Sequence, residues 1–162
     1  MSRLPRRRIT VAAIRGDLEA SPVTQTPKWY MPVAVLALVW NLIGCAAYLS
    51  DVLMSPEAVA QLPADQQAMY AARPVWAVAA YAIAVWGGAL GSLGLVLKKR
   101  WAQPLLIASV AGLIVQDVAL FALSPAAGAI PPTAYVLQGM VFVIALALVR
   151  MAGVASARGW LS

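Results

Sequence analysis

Residues 74–104 read PVWAVAAYAIAVWGGALGSLGLVLKKRWAQP, and this stretch decides the fold. From Val75 to Leu97 there is no charged side chain. Lys98, Lys99 and Arg100 follow at once, and a second apolar run begins at Ala102. A helix needs about 20 apolar residues to cross about 30 Å of hydrocarbon, and the first run meets that length. Lys98 to Trp101 leave room only for a tight turn, so the two helices must be adjacent and antiparallel. The segment is a membrane-spanning hairpin by length, charge and punctuation.

Two further runs of this kind flank it, giving expected spans at residues 30–50, 75–97, 102–123 and 132–150. Helices are required, because an open strand in lipid would leave its backbone N–H and C=O groups unpaired. Pro32, Pro74, Pro104 and Pro132 each fall at or near the start of a span, and none lies deep inside one. The first turn of a helix has no N–H bond for proline to lose, and the ring presets the helical φ. The predicted fold class is an all-α integral membrane four-helix bundle.

Composition agrees. Of 162 residues, 62% are hydrophobic and 11% charged, whereas soluble domains carry about 45–50% apolar and about 25% charged residues. The chain has no His and a single Cys, which excludes an internal disulfide framework, His/Cys zinc sites and histidine catalysis. A net charge of +6 would suit nucleic acid, but the bases cluster where charge sets membrane orientation. With the N-terminus inside, Arg3, Arg6, Arg7, Arg8, Arg15, Lys28, Lys98, Lys99, Arg100, Arg150 and Arg158 all fall on the cytoplasmic face. Arg73 alone falls outside. Both termini are therefore expected in the cytoplasm, in a bacterial inner membrane, with no nucleic-acid partner.

Three segments flank or link the spans. Residues 1–28 are rich in Arg, Pro and Thr and predict a disordered basic tail held near anionic lipid. The bundle is expected over 29–152, followed by a cytoplasmic tail at 153–162. The outer loop, 51–73, carries its own helix signals. Ser55-Pro56-Glu57 reads as N-cap, first-turn proline and first-turn acid, and Pro63-Ala64-Asp65 opens a second short stretch. One or two short surface helices follow from this, as a structured connector rather than a lid.

Polar residues inside spans are costly, about 2.5–3.5 kcal/mol for an Asp at a helix centre. Asp117 lies six residues before the outer end of span three, ~9 Å deep at 1.5 Å per residue. Gln116 is its neighbour, and Asn41 and Gln138 lie near the middle of spans one and four. One reading is an outward-facing polar pocket of Asn41, Gln116, Asp117 and Gln138, with Arg73 reaching toward Asp117. The other makes the amides interhelical glue, worth under ~2 kcal/mol each, with Asp117 uncharged or paired to Arg73. Small residues mark the packing faces: Gly44, Ala84, Gly87, Gly88, Gly91, Ser92 and Gly112. Such faces let backbones approach closely within the bundle, a homodimer seam being the alternative. Leu42-Ile43-Gly44-Cys45 also matches a lipobox. The long charged region before it and the apolar sequence after it favour a packing role for Cys45.

Several motifs form a recognisable series: Lys28-Trp29-Tyr30, Trp40-Asn41-Leu42-Ile43-Gly44, Ser55-Pro56-Glu57, Tyr70-Ala71-Ala72-Arg73-Pro74 and Trp86-Gly87-Gly88-Ala89-Leu90-Gly91. Over residues 28 to 123 the chain resembles a family of small bacterial membrane proteins often labelled "sugar transporter". Its layout also resembles the DoxX-like four-helix group, in which a long outer connector follows span one and a Gly-Gly pair marks span two. That group often has an acid just before the Gly pair, where this chain has Trp86. A redox or quinone-linked role is therefore not carried over.

The expected function is binding or transport of a small solute or lipophile, possession of a bilayer setting being the common requirement. A non-catalytic accessory subunit of a larger membrane complex is the alternative, and a homo-oligomer is compatible with either. No phosphate loop, carboxylate pair or nucleophile–base pair points to an enzyme, and no cofactor or metal is expected.

Overall fold

The computed structural model describes residues 25–124, 128 and 130–162. Most of the predicted basic tail, residues 1–24, lies outside the described residues. Among the described residues six α-helices follow in order: α1 (Tyr30–Val52), α2 (Pro56–Ala60), α3 (Ala64–Ala72), α4 (Val75–Val96), α5 (Ala102–Asp117) and α6 (Pro132–Ala157). A π-helical turn, Val118–Leu123, continues α5. No strand occurs among the described residues. α1, α4, α5 with its π turn, and α6 are each long and apolar enough to cross a membrane. Their outward faces carry large apolar side chains such as Leu36, Ile43, Val136 and Val143, all more than 60% exposed. Exposed apolar surface of this extent marks a face that meets lipid or another protein.

Prolines sit where a helix has no N–H to lose. Pro132 opens α6, Pro74 caps α4, and Pro32 and Pro104 lie in first turns. The connector, expected to hold one or two short helices, forms two. Ser55 caps α2 by accepting the Ala58 N–H at 3.2 Å, with Pro56 at the first position. α6 runs seven residues beyond the expected end of its span, to Ala157 rather than 150. Arg150 marks a change of polarity, but Met151, Ala152, Ala155 and Ala157 are good helix formers, and the single Gly153 costs only about 1 kcal/mol.

α1 packs on α4, α4 on α5, and α5 on α6. The α4–α5 contact is the most intimate, because glycines remove what would separate the backbones. A methyl group on Gly112 would lie 2.7 Å from the Ala80 carbonyl oxygen and 2.8 Å from the Ala84 nitrogen. One on Gly91 would lie 2.6 Å from Leu106. Beside them, the Ser109 hydroxyl donates to the Ala84 carbonyl at 2.5 Å. On the other face of α4, Gly88 and Ser92 receive Asn41 from α1. The predicted small-residue faces thus pack inside one chain.

One end of the bundle, here called the base, holds the α4–α5 turn and the tail after α6. Its core gathers Tyr30, Ala34, Leu95, Ala102, Leu106, Leu148, Ala152, Trp160 and Leu161. The Tyr30 hydroxyl donates to the Leu95 carbonyl at 3.0 Å. Two Schellman motifs shape this end. In α4 the Lys99 N–H reaches Gly94 at 2.8 Å and the Lys98 N–H reaches Leu95 at 3.0 Å, with Lys98 left-handed at φ 54. In α6 the Trp160 N–H reaches Ala155 at 2.9 Å and the Gly159 N–H reaches Ser156 at 3.1 Å, with Gly159 at φ 70. Residues 153–162, expected as a cytoplasmic tail, form the last turn of α6 and a docked segment. The Ser162 N–H donates to the Lys98 carbonyl at 2.7 Å, and the Arg100 N–H donates to the Ser162 carbonyl at 3.2 Å. Trp160 and Leu161 are buried, which no charge count anticipates.

Candidate binding cavities at the crown

The opposite end, the crown, carries α2 and α3, and the polar residues singled out from sequence lie between it and the bundle centre. They separate into pairs instead of forming one network. Gln138 donates to the Asp117 carboxylate at 2.5 Å, joining α6 to α5. Asn41 donates to the Ser92 hydroxyl at 3.0 Å and to the Ala37 carbonyl at 2.8 Å. Cβ bonds tilt toward a helix N-terminus, so the Asn41 amide points to the base and away from Asp117. Arg73 does not pair with Asp117. Its guanidinium bonds Asp51 at 2.5 Å, and Tyr70 also donates to Asp51. The correction has a simple cause: Asp51 ends α1 and Arg73 precedes α4, so the folded connector brings them together.

Two cavities occupy the space left between helices. The upper one, about 510 Å³, lies under α3 and is lined by Asp51, Tyr70, Arg73, Trp76, Tyr81, Gln116, Leu120 and their neighbours. The lower one, about 290 Å³, lies between α1 and α6, lined by Trp40, Asn41, Tyr81, Gln116, Gln138 and Val141 among others. Tyr81 and Gln116 belong to both walls. Asn41, Gln116, Gln138 and Arg73 therefore each line a cavity, but Asp117 lines neither. Successive helical residues point about 100° apart. Gln116 turns to the cavities, and Asp117 turns to α6.

The chemistry of these walls is mostly apolar with a few polar handles, the usual make-up of a ligand site. The Gln116 side-chain oxygen is buried and has no hydrogen-bond partner among the described residues. An unpaired buried acceptor costs about 1–3 kcal/mol, a cost that a donor from a bound molecule would remove. At the crown, burial and then the Asp51 hydrogen bond and charge push the Tyr70 hydroxyl above its ordinary pKa. The Arg73 guanidinium stacks 4.9 Å over the Tyr70 ring. Tyr48 and Tyr81 meet edge to face at 5.0 Å.

Asp51, Tyr70, Trp76 and Tyr81 line the upper cavity without standing out as site residues in the sequence, while Ser92, expected as a packing residue, also accepts the Asn41 hydrogen bond. Opposite charges at the two ends of one connector were an available signal for Asp51 and Arg73. Tyr81 offered none, since a lone Tyr in a span reads as packing. Cys45 is buried against α4, its thiol 3.4 Å from the Val85 carbonyl, within an unbroken helix. Gly44 lies opposite Val85 as well. Among the described residues no group of three His, Cys, Asp or Glu side chains could hold a metal ion. Comparison of the chain with protein-family models, with curated proteins and with solved structures gives no match.

Proposed function

We propose that this chain is a multi-pass membrane protein that binds a lipophile, and carries it to or from the face on which α2 and α3 lie. The observation that supports this is the pair of adjoining cavities that share Tyr81 and Gln116. Their combined size falls within the ~300–1,000 Å³ of ligand sites. The apolar cluster at the base favours binding over conduction by a single chain, since it fills the space through which a solute would pass. Both termini face the cytoplasm of a bacterial inner membrane in this reading, because the base holds Lys98, Lys99, Arg100 and Arg158 and the crown holds Arg73. Kinship with the families labelled "sugar transporter" and DoxX-like belongs to the same proposal. The accessory-subunit alternative depended on small-residue faces free for a partner, and α1–α4 and α4–α5 contacts already occupy them.

The test is saturable binding of a solvatochromic lipophilic dye to the protein in lipid nanodiscs. Val78→Phe fills the upper cavity and Ala145→Phe the lower. Each should lower dye affinity while thermal unfolding shows an intact bundle. Equal affinity in wild type and both fillers would sink the cavity reading. A C-terminal reporter fusion active only in the cytoplasm tests the orientation.

A further inference from the structure

The two cavities differ in a way that specifies the ligand's head as well as its chain. Among the described residues the lower wall carries no charged side chain. The upper wall carries two, Asp51 and Arg73, and these neutralise one another at 2.5 Å while Tyr70 donates to the same carboxylate. Asp117, the one acid buried deeper among the described residues, is turned away and bonded to Gln138. An anionic or cationic head entering here would be stripped of water and would meet no free counter-charge, or would have to break the Asp51–Arg73 pair. Either event is costly, because a buried ion is tolerated only when paired.

What the walls do leave free is hydrogen-bonding capacity at the junction. The Gln116 oxygen is buried without a partner, and its terminal amide turns about a broad, low-barrier torsion. Tyr81 shares both walls and brings a hydroxyl that can donate or accept. A ligand hydroxyl does both, giving a proton to the Gln116 carbonyl and taking one from Tyr81. Below the junction the wall is mostly apolar, with Ile43, Leu113, Val141 and Leu148, and its polar members Asn41, Ser109 and Gln138 already donate to Ser92, Ala84 and Asp117, which leaves a slot for hydrocarbon.

Resting on the proposal that these cavities bind a lipophile, we infer that the ligand is an uncharged single-chain amphiphile with a hydroxylated head. Its head lies at the Tyr81–Gln116 junction on the upper-cavity side, and its chain runs down the slot between α1 and α6. Trp76 stands in the upper wall and Trp40 in the lower, so the two ends of the ligand have separate reporters.

The experiment measures binding to the full chain in nanodiscs with three probes of equal chain length: a monoacylglycerol, a fatty acid and an alkylamine. Chain-end bromination of each probe reports its tail position through tryptophan quenching. The signal counted is the part displaced by excess unbrominated probe. The monoacylglycerol is expected to bind about tenfold or more tightly than either charged probe. Its chain-end bromine should quench Trp40, so the displaceable quenching falls in Trp40→Phe and persists in Trp76→Phe. Gln116→Leu should weaken its binding about tenfold while leaving the bundle as stable or more so, since an unpaired polar group is removed. Tyr81→Phe, which keeps the ring, should weaken binding in the same direction. Charged probes binding as well as the neutral one would overturn the inference and leave the cavity reading standing. So would indifference to both variants. Saturable binding by none of the three would overturn both.

Discussion

Gly112→Ala tests the contact on which the bundle geometry depends. The added methyl would sit 2.7 Å from the Ala80 carbonyl oxygen and 2.8 Å from the Ala84 nitrogen. Favourable contacts begin near 3.5 Å, so α4 and α5 must part by about 0.8 Å. Both obstacles are backbone atoms of a helix, which cannot swing aside as a side chain would. Overpacking of this kind costs about 1–3 kcal/mol. The Ser109 hydrogen bond to Ala84, at 2.5 Å in the same contact, would stretch and lose up to about 1 kcal/mol. Against these stands the helix propensity gained on replacing Gly by Ala, about 1 kcal/mol. With the hydrogen bond lost in full, the net expectation is destabilisation by about 1–3 kcal/mol. Gly139→Ala on α6 supplies the control, because nothing lies within 4 Å of its added methyl, so it should keep the propensity gain. Unfolding in mixed micelles at rising SDS fraction, followed by tryptophan fluorescence, reads both. If Gly112→Ala were as stable as wild type, or gained as Gly139→Ala does, the close α4–α5 approach would be wrong.

Lys98 and Gly159 hold the same left-handed place in two caps, so exchanges there should have opposite signs. Lys98→Gly removes about 1–2 kcal/mol of strain and returns about 0.5–1 as chain entropy, a small net gain, whereas Gly159→Ala should cost about 1 kcal/mol in the same SDS titration. A double-mutant cycle over Asn41→Leu and Ser92→Ala should give a coupling near 0.6 kcal/mol and below about 2, the range for hydrogen bonds between membrane helices. A zero coupling would remove that bond from the account. Tyr70 has a folded pKa raised above its unfolded value, so its contribution is complete below pH about 10 and is lost as pH rises through the folded pKa. The ultraviolet difference titration of wild type against Tyr70→Phe should therefore show one phenol ionising above pH about 10, and Asp51→Asn should move that transition down.

The bundle was legible because lipid imposes coarse rules that sequence obeys in plain sight. Length fixed the spans, proline fixed their starts, and Lys98-Lys99-Arg100 fixed the turn between α4 and α5. α6 continues beyond the expected span for a related reason. Arg150 marks where the chain leaves its apolar stretch, and a helix can continue past that point to Gly159. The π turn at Val118–Leu123 has no counterpart in its residue types, VALFAL, which would serve as well in an α-helix. Docking of Trp160 and Leu161 depends on a cap in α6 and a cap in α4 presenting backbone groups to each other, which neither local sequence declares.

The cavity-lining residues were half legible, and the division follows from helix geometry. Sequence gives each polar residue a depth, since every step advances 1.5 Å. It does not give the rotation of one helix against its neighbours. Depth grouped Asn41, Asp117 and Gln138 together, but rotation and the backward tilt of side chains sent Asn41 to Ser92 on α4. Gln116 and Asp117 shared a depth to within one step and still faced different surroundings. The costlier residue drew attention to itself, yet its cost is met by Gln138 and it stands outside both cavities. The cheaper amide beside it is the one left with an unmet acceptor on a cavity wall. In a bundle like this the residue to follow is therefore the one whose hydrogen-bonding capacity the fold leaves unused, which points to Gln116 ahead of Asp117.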